Sequence, residues 1–276
     1  MVISRLRAEL RNKLNKNSHE ADWIISHVTG MSQTDFILNP REITDDELSR
    51  IHSIVSRRSQ GEPLQYILGT TEFMGLEFKV NSSTLIPRQD SETLAEAAAE
   101  YISDKNLNII DIGCGSGCIG ITIAKLCKNA HVTLLDISSG ALETAEENAR
   151  LNGVNIQAVK CDILKELPDG SFDVIVSNPP YIETDTVATL DDTVKSFEPL
   201  SALDGGSDGL KFYHKITAAA HKMFTSDGFI LFEIGCNQGS AVSDILLENG
   251  FTDIKITQDP CGNDRVVTAK LTKEQV

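Results

Sequence analysis

The sequence predicts an α/β fold built on a mostly parallel sheet, preceded by a small helical region. Three observations carry that expectation. From Thr84 onward, apolar runs of strand length alternate with stretches of helix length, the pattern of a parallel sheet covered on both faces. Before residue 60 apolar residues recur at helical spacing. The length of 276 residues exceeds one average domain of about 150 residues and falls short of two.

The elements follow in order. Ile3, Leu6, Leu10 and Leu14 share one helical face, and Ile24, Ile25 and Val28 repeat the pattern around Trp23. Thr44 with Glu47 forms a capping-box pair that opens a helix through Leu48, Ile51 and Val55. Gly61 and Pro63 break the pattern, and the aromatic and apolar residues 72–80 around Gly75 predict a short hairpin linking two domains. Strands are expected at residues 107–112, 131–137, 156–160, 172–177, 229–234, 251–256 and 265–271, with helices at 92–102, 119–127, 141–151, 212–223 and 240–248. In such a sheet, active residues gather at the carboxyl ends of the strands.

Composition excludes several classes. Lys plus Arg is 25 against 40 for Asp plus Glu, a net charge of −15, the wrong sign for gripping a phosphate backbone with the whole surface. The N-terminus lacks the apolar core of a signal peptide, and no apolar run approaches membrane-span length, so a cytoplasmic location is expected. The six cysteines are scattered without a CxxC pair, and the six histidines without HExxH. They read as reduced small residues and as satisfied or solvated imidazoles, and no metal site is expected.

Residues 107–117, LNIIDIGCGSG, run a buried strand into Gly113, Cys114, Gly115, Ser116 and Gly117. Glycines there permit unusual backbone angles and close approach of a ligand to the main chain. The next strand ends at Asp136, where a carboxylate can accept hydrogen bonds from both ribose hydroxyls. Together they favour a nucleoside-containing cofactor over a structural turn. Gly115, Gly117 and Gly120 also match GxGxxG, the dinucleotide pattern. Against a dinucleotide stands Asp111, whose carboxylate before the first glycine would repel a pyrophosphate and suit a cationic amino group.

The strand 172–177 delivers Asn178, Pro179, Pro180 and Tyr181 to the carboxyl edge of the sheet. These residues suit methyl transfer to a planar amino group. Such a nitrogen is a poor nucleophile with a delocalised lone pair, and it grows more positive as it attacks. The Asn178 side-chain oxygen and the Pro179 carbonyl can each accept one N–H where that charge develops. Consecutive prolines fix φ and carry no competing donor, and Tyr181 offers a ring face to a flat group. Adenine N6, cytosine N4 and a glutamine amide all remain possible acceptors at this point; a proline-stiffened turn is the non-catalytic alternative.

The glycine loop resembles the first motif of class I S-adenosylmethionine-dependent methyltransferases. The wider set resembles the protein-(glutamine-N5) methyltransferase family: GEPLQYILGTTEFMGLEFKV (61–80), LIPRQDSE (85–92), DIGCGSG, VSNPPYI, FEPLSALDGGSDGLKFY (197–213), LFEIG (231–235) and GNDRVV (262–267) occur in the family's order. The chain departs from the family at Met74, Gln89 and Ile163.

The resemblance implies a class I, Rossmann-like domain with a seven-stranded, mostly parallel sheet at residues 84–276, a β-hairpin linker at 71–83 and a helical substrate-recognition domain at 1–70. It implies S-adenosylmethionine as donor, S-adenosylhomocysteine as product, and as substrate the glutamine of a Gly-Gly-Gln loop in release factors. No membrane or direct nucleic-acid partner is expected. The cofactor would be held by Asp111, residues 113–117, Asp136, Asn178 and, near the adenine, Asp162 and Ile163. The substrate would meet Asn178, Pro179, Pro180 and Tyr181, with Arg88 and Glu198 in segments that line the site. Blander readings stand beside some of these: a solvated loop carboxylate for Asp162, a salt bridge at a helix start for Arg88 with Glu92, a solvated acidic loop for Glu198 and residues 204–209, and a core-edge carboxylate for Glu233. The competing activity is methylation of a nucleic-acid amino group such as adenine N6.

Overall fold

A computed structural model describes residues 2–14 and 18–273. The chain forms two compact units: one comprises the chain up to Thr70 together with the short segment Asp192–Phe197, the other Thr71–Asp191 and the chain from Glu198. The hairpin beyond Thr70 therefore belongs to the second unit.

The first unit is helical, at Ile3–Lys13, Ser18–Thr29, Asp35–Leu38, Asp45–Ser59 and Leu64–Leu68. Ile3, Leu6, Leu10, Ile24, Ile25, Ile51 and Val55 close its core, as the helical spacing requires. The capping box forms: Thr44 Oγ1 accepts the Glu47 N–H at 3.2 Å, and Glu47 Oε2 accepts the Thr44 N–H at 2.9 Å. Arg7 grips Asp22 through two bonds of 2.6 Å, which compensates a carboxylate left 6% exposed.

The second unit opens with the hairpin β1 (Thr70–Phe73) and β2 (Leu76–Lys79). Its two-residue turn places Met74 and Gly75 at positive φ, 51° and 71°, as a tight hairpin requires. Seven strands then form one sheet: β3 (Asn108–Ile112), β4 (His131–Asp136), β5 (Gln157–Lys160), β6 (Phe172–Ser177), β7 (Phe224–Glu233), β8 (Thr252–Gln258) and β9 (Asp264–Leu271). The order is β5-β4-β3-β6-β7-β9-β8. Pairs from β5 through β7 are parallel, while β9 runs antiparallel to both β7 and β8.

Side-chain alternation divides the core. Ile109, Leu134, Val174 and Leu231 point to one face, which contacts helices Glu92–Ile102, Cys118–Leu126 and Ser139–Asn152; Ile110, Leu135, Ile175 and Phe232 point to the other, toward Lys211–Met223 and Gly239–Glu248. Strands of a sheet buried on both faces read as continuous apolar runs, and these are the runs visible in the sequence. The one marked difference is β7, which begins at Phe224 rather than 229. Register shifts between the pairs Phe172↔Phe224 and Val174↔Phe229, so the polar Ser-Asp-Gly stretch is carried inside the strand as a bulge. Gly228 permits it: a Cβ there would lie 2.3 Å from the Phe224 ring.

Among the described residues no helix is long and apolar enough to cross a membrane, and no group of His, Cys, Asp and Glu could hold a metal ion.

Candidate functional site

The connections that leave the adjacent strands β3 and β6 diverge, the first toward β4 and the second toward β7. A cleft of about 470 Å³ opens at the carboxyl ends of these strands, at the switch point where α/β sheets bind ligands. Gly113, Gly115, Asp136, Ile137, Asp162, Ile163 and Asn178 to Pro180 line it, with Leu85 and Pro199 to Ala202 closing further walls.

The glycine loop is shaped by its own backbone bonds. Gly113 and Cys114 donate to the Leu135 carbonyl at 2.8 and 3.0 Å, which pins the loop across the top of β4. Gly113, Gly115 and Gly117 all take positive φ, 74°, 55° and 79°, and Gly117 starts the helix Cys118–Leu126. At Gly120 a Cβ would lie 2.3 Å from Leu134 Cδ2, so the third glycine of the GxGxxG match serves close helix–sheet packing.

Asp136 lies at the end of β4 on the cleft wall. Its Oδ2 accepts the Gly115 N–H and its Oδ1 the Ser138 N–H, both at 2.9 Å. Each oxygen keeps a further lone pair, the arrangement a pair of vicinal hydroxyls needs. Burial pushes its pKa up, against the pull of those N–H donors. Asp162 has a different setting: Lys165 Nζ lies 2.7 Å from Oδ2 and the Leu164 N–H binds Oδ1 at 3.1 Å. These bonds, Lys165 foremost, lower its pKa. Ile163, 6% exposed, and Ile137, 52% exposed, supply apolar surface on the same wall. Ile137 carried no sequence signal beyond ending a strand. The cleft thus offers a carboxylate for hydroxyls, apolar walls for a flat ring and backbone without side chains, a donor set that fits a nucleoside-bearing cofactor.

Asp111 is placed differently from expectation. It is 1% exposed and lies behind the cleft lining. Its Oδ2 accepts the Gly120 N–H at 2.9 Å, while Oδ1 has no partner among the described residues. Burial, reinforced by nearby Asp136, raises its pKa to about 7. The carboxylate braces the start of the helix that follows the loop. Cys114 and Ser116, 6% and 2% exposed, also sit beneath the lining, as does Gly117.

Asn178, Pro179 and Pro180 reach the cleft from the end of β6. Asn178 Nδ2 donates to Ser91 Oγ at 3.2 Å, so the amide nitrogen is engaged with protein. Tyr181 does not line the cleft; it packs on the core with Tyr213 and Phe232, and burial pushes its pKa up to about 12. The loop after the tetrad lies directly on it. The Gly205 N–H donates to the Ile182 carbonyl at 2.8 Å, and Gln238 Nε2 donates to the Tyr181 carbonyl at 3.1 Å. A Cβ at Gly205 would lie 2.7 Å from the Pro180 oxygen, and one at Gly209 2.4 Å from the Tyr181 oxygen. The Gly-rich run 204–209 is therefore a brace on the tetrad backbone. Arg88 pairs with Glu198, Nη2 to Oε1 at 2.5 Å, and neither lines the cleft. Glu92 instead accepts the Met74 N–H at 2.8 Å.

Comparison with known proteins agrees with this layout. The family model "Methyltransferase small domain" matches residues 89–197, and "PrmC N-terminal domain" matches residues 2–69. The release factor glutamine methyltransferase of Geobacter sulfurreducens is 39% identical over 98% of this chain and 95% of its own length. That of Agrobacterium fabrum is 42% identical over 90% of this chain and 89% of its own. A methyltransferase structure from Pyrococcus furiosus superposes with a TM-score of 0.56 at 17% identity, covering 83% of this chain and 100% of the other, and so shares the fold.

Proposed function

Because the chain belongs to the release factor glutamine methyltransferases, we propose that it transfers a methyl group from S-adenosylmethionine to the side-chain amide nitrogen of the glutamine in the Gly-Gly-Gln motif of peptide chain release factors. The observation that carries the reading is the meeting of Asn178 to Pro180 with Gly113, Gly115 and Asp136 around one cleft. Asp136 would hold the ribose hydroxyls, Ile137 and Ile163 the adenine, and the glycine loop the methionine part. When bound, the sulfonium supplies an electrophilic methyl carbon whose leaving group is a neutral thioether.

The protein's own part is alignment and charge stabilisation. Asn178 Oδ1 and the Pro179 carbonyl would accept the two N–H groups of the substrate amide, turning its lone pair toward the methyl carbon. Both acceptors gain strength as the nitrogen becomes positive, so they stabilise the transition state more than the ground state. Alignment of this kind can contribute roughly 7–11 kcal/mol. Pro179 and Pro180 add no N–H that would compete for those acceptors, and the backbone that follows, at Pro180 and Tyr181, packs closely on Gly205 and Gly209.

Incubation with S-adenosylmethionine and either purified release factor or DNA and RNA, followed by peptide mass mapping, tests the reading. Methylation of the Gly-Gly-Gln glutamine is expected. A methyl group on nucleic acid and none on that peptide would overturn it in favour of an exocyclic-amine methyltransferase.

A further inference from the structure

Residues 88–92, which lead into the helix Glu92–Ile102, have no task in the mechanism above, yet four of their side chains reach distant parts of the sheet domain. At the centre is the 3₁₀ turn Gln89–Ser91, a single turn of a geometry whose own hydrogen bonds are poor. Its place in the fold is set by side chains. Ser91, 2% exposed, accepts the Asn178 Nδ2–H at 3.2 Å across 87 positions of sequence. Asp90 Oδ2 lies 3.1 Å from Arg265 Nη2. On either side of these two, Arg88 pairs with Glu198 and Glu92 accepts the Met74 N–H.

Arg265 is a fixed post for this turn. It is 9% exposed, its Nε and Nη2 reach Asp259 Oδ2 at 3.3 and 3.1 Å, and its Nη1 donates to the Ile234 carbonyl at 3.3 Å. A planar guanidinium with that many partners is locked in orientation. It stands on β9, which pairs with β7, and β7 pairs with β6, whose end delivers Asn178. The Asp90 ion pair therefore ties Ser91 to the same sheet that carries Asn178. The Asp90 side chain is itself 52% exposed, and an ion pair so open to water adds little to the stability of a fold. Its effect lies in where it puts the turn: a displacement of about 1 Å at a reacting group can cost on the order of 10²-fold in rate.

We propose that Asp90 is a positioning residue: paired with Arg265, it fixes the turn whose Ser91 hydroxyl holds the Asn178 amide by its nitrogen, and so keeps the amide oxygen where the substrate amide meets it. The proposal rests on the glutamine-methylation reading and adds to it the group that sets the position of the acceptor. Asp90 does not line the cleft, so its influence on the reaction runs through Ser91 and Asn178 and not through contact with cofactor. Replacing Asp90 leaves Arg265 its bonds to Asp259 and to the Ile234 carbonyl. No buried charge is stranded by the change, and the fold should survive it.

The test is a double-mutant cycle with the full-length enzyme, intact release factor and saturating S-adenosylmethionine, in which Asp90→Ala is made in the wild type and in Asn178→Ala. In the wild type, Asp90→Ala should lower kcat about tenfold. Its KM for release factor and its cofactor Kd should stay within about twofold, since neither ligand meets Asp90. In the Asn178→Ala background, read by single turnover, Asp90→Ala should change the rate by no more than about twofold, because the amide it positions is gone. A merely structural role would lower the rate alike in both backgrounds. Should Asp90→Ala fail to fold, Asp90→Asn, which keeps the shape and removes the charge, carries the same cycle with the same expectation. A variant with wild-type kcat, or an equal loss in the two backgrounds, overturns the proposal. A wild type that leaves the Gly-Gly-Gln peptide unmodified refutes the functional reading instead, so the two failures are distinct.

Discussion

Asn178 carries the proposed chemistry through one atom, its side-chain oxygen. Its Nδ2 is bound to Ser91. Asn178→Ala should therefore lower kcat by roughly 10²–10³ and leave the Kd for S-adenosylmethionine nearly unchanged, which isothermal titration and single-turnover assays check together. Equal loss of binding and turnover would place Asn178 chiefly in cofactor binding. At this scale the sequence was legible wherever chemistry depends on residue type and strand position: Asn178, Pro179, Asp136 and Ile163 all reach the cleft. It was illegible where burial decides. A carboxylate after a strand reads the same whether it lines the cleft, as Asp136 does, or meets a helix N–H, as Asp111 does. Burial also decides the setting of Tyr181 and Glu198: the half-buried ring packs against the core, and the acid, 5% exposed, pairs with Arg88.

Elements are joined by a few buried polar residues that show no pattern in the sequence. Asn148, 0% exposed, sits mid-helix in Ser139–Asn152 and was read only as a helical position. Its Oδ1 accepts the Lys79 N–H at 2.6 Å, and its Nδ2 donates to the carbonyls of Lys79 and Ser116, each at 2.9 Å. One side chain thereby ties β2 to the glycine loop. Asn148→Ala removes the bonds to three backbone groups and should cost about 2–4 kcal/mol, measured by urea unfolding, with weaker cofactor binding as the loop loosens. Thr44→Ala removes the cap of Asp45–Ser59 and should cost about 1 kcal/mol. That cap was legible because both of its partners lie within one turn. Asn148 was not, because its partners lie 69 and 32 positions away in sequence.

Charge sets the behaviour of the whole molecule. Residues 1–83 hold ten Lys or Arg against eleven Asp or Glu, while residues 84–276 hold fifteen against twenty-nine, so nearly all the net charge of −15 belongs to the sheet domain. Within it, burial holds Asp111 and Glu233 neutral up to about pH 7. In the unfolded chain both would ionise in the ordinary carboxylate range. Between those limits the native state binds more protons, so stability falls as pH rises from about 4.5 to 7 and levels off above. Thermal unfolding should therefore give a higher midpoint at pH 5.5 than at pH 7.5. The double variant Asp111→Asn with Glu233→Gln should flatten that slope; an unchanged slope would mean that neither group titrates with folding. By itself the sequence determined the class of fold, the strand and helix order, the two ends of the cleft and the family, because periodicity and motif spacing are local properties of the chain. Only the tertiary structure decided which carboxylates face the cleft and which are buried behind it, that β7 carries a bulge, and which way Asn178 turns. Burial and hydrogen-bond direction depend on neighbours that folding brings together from distant parts of the chain.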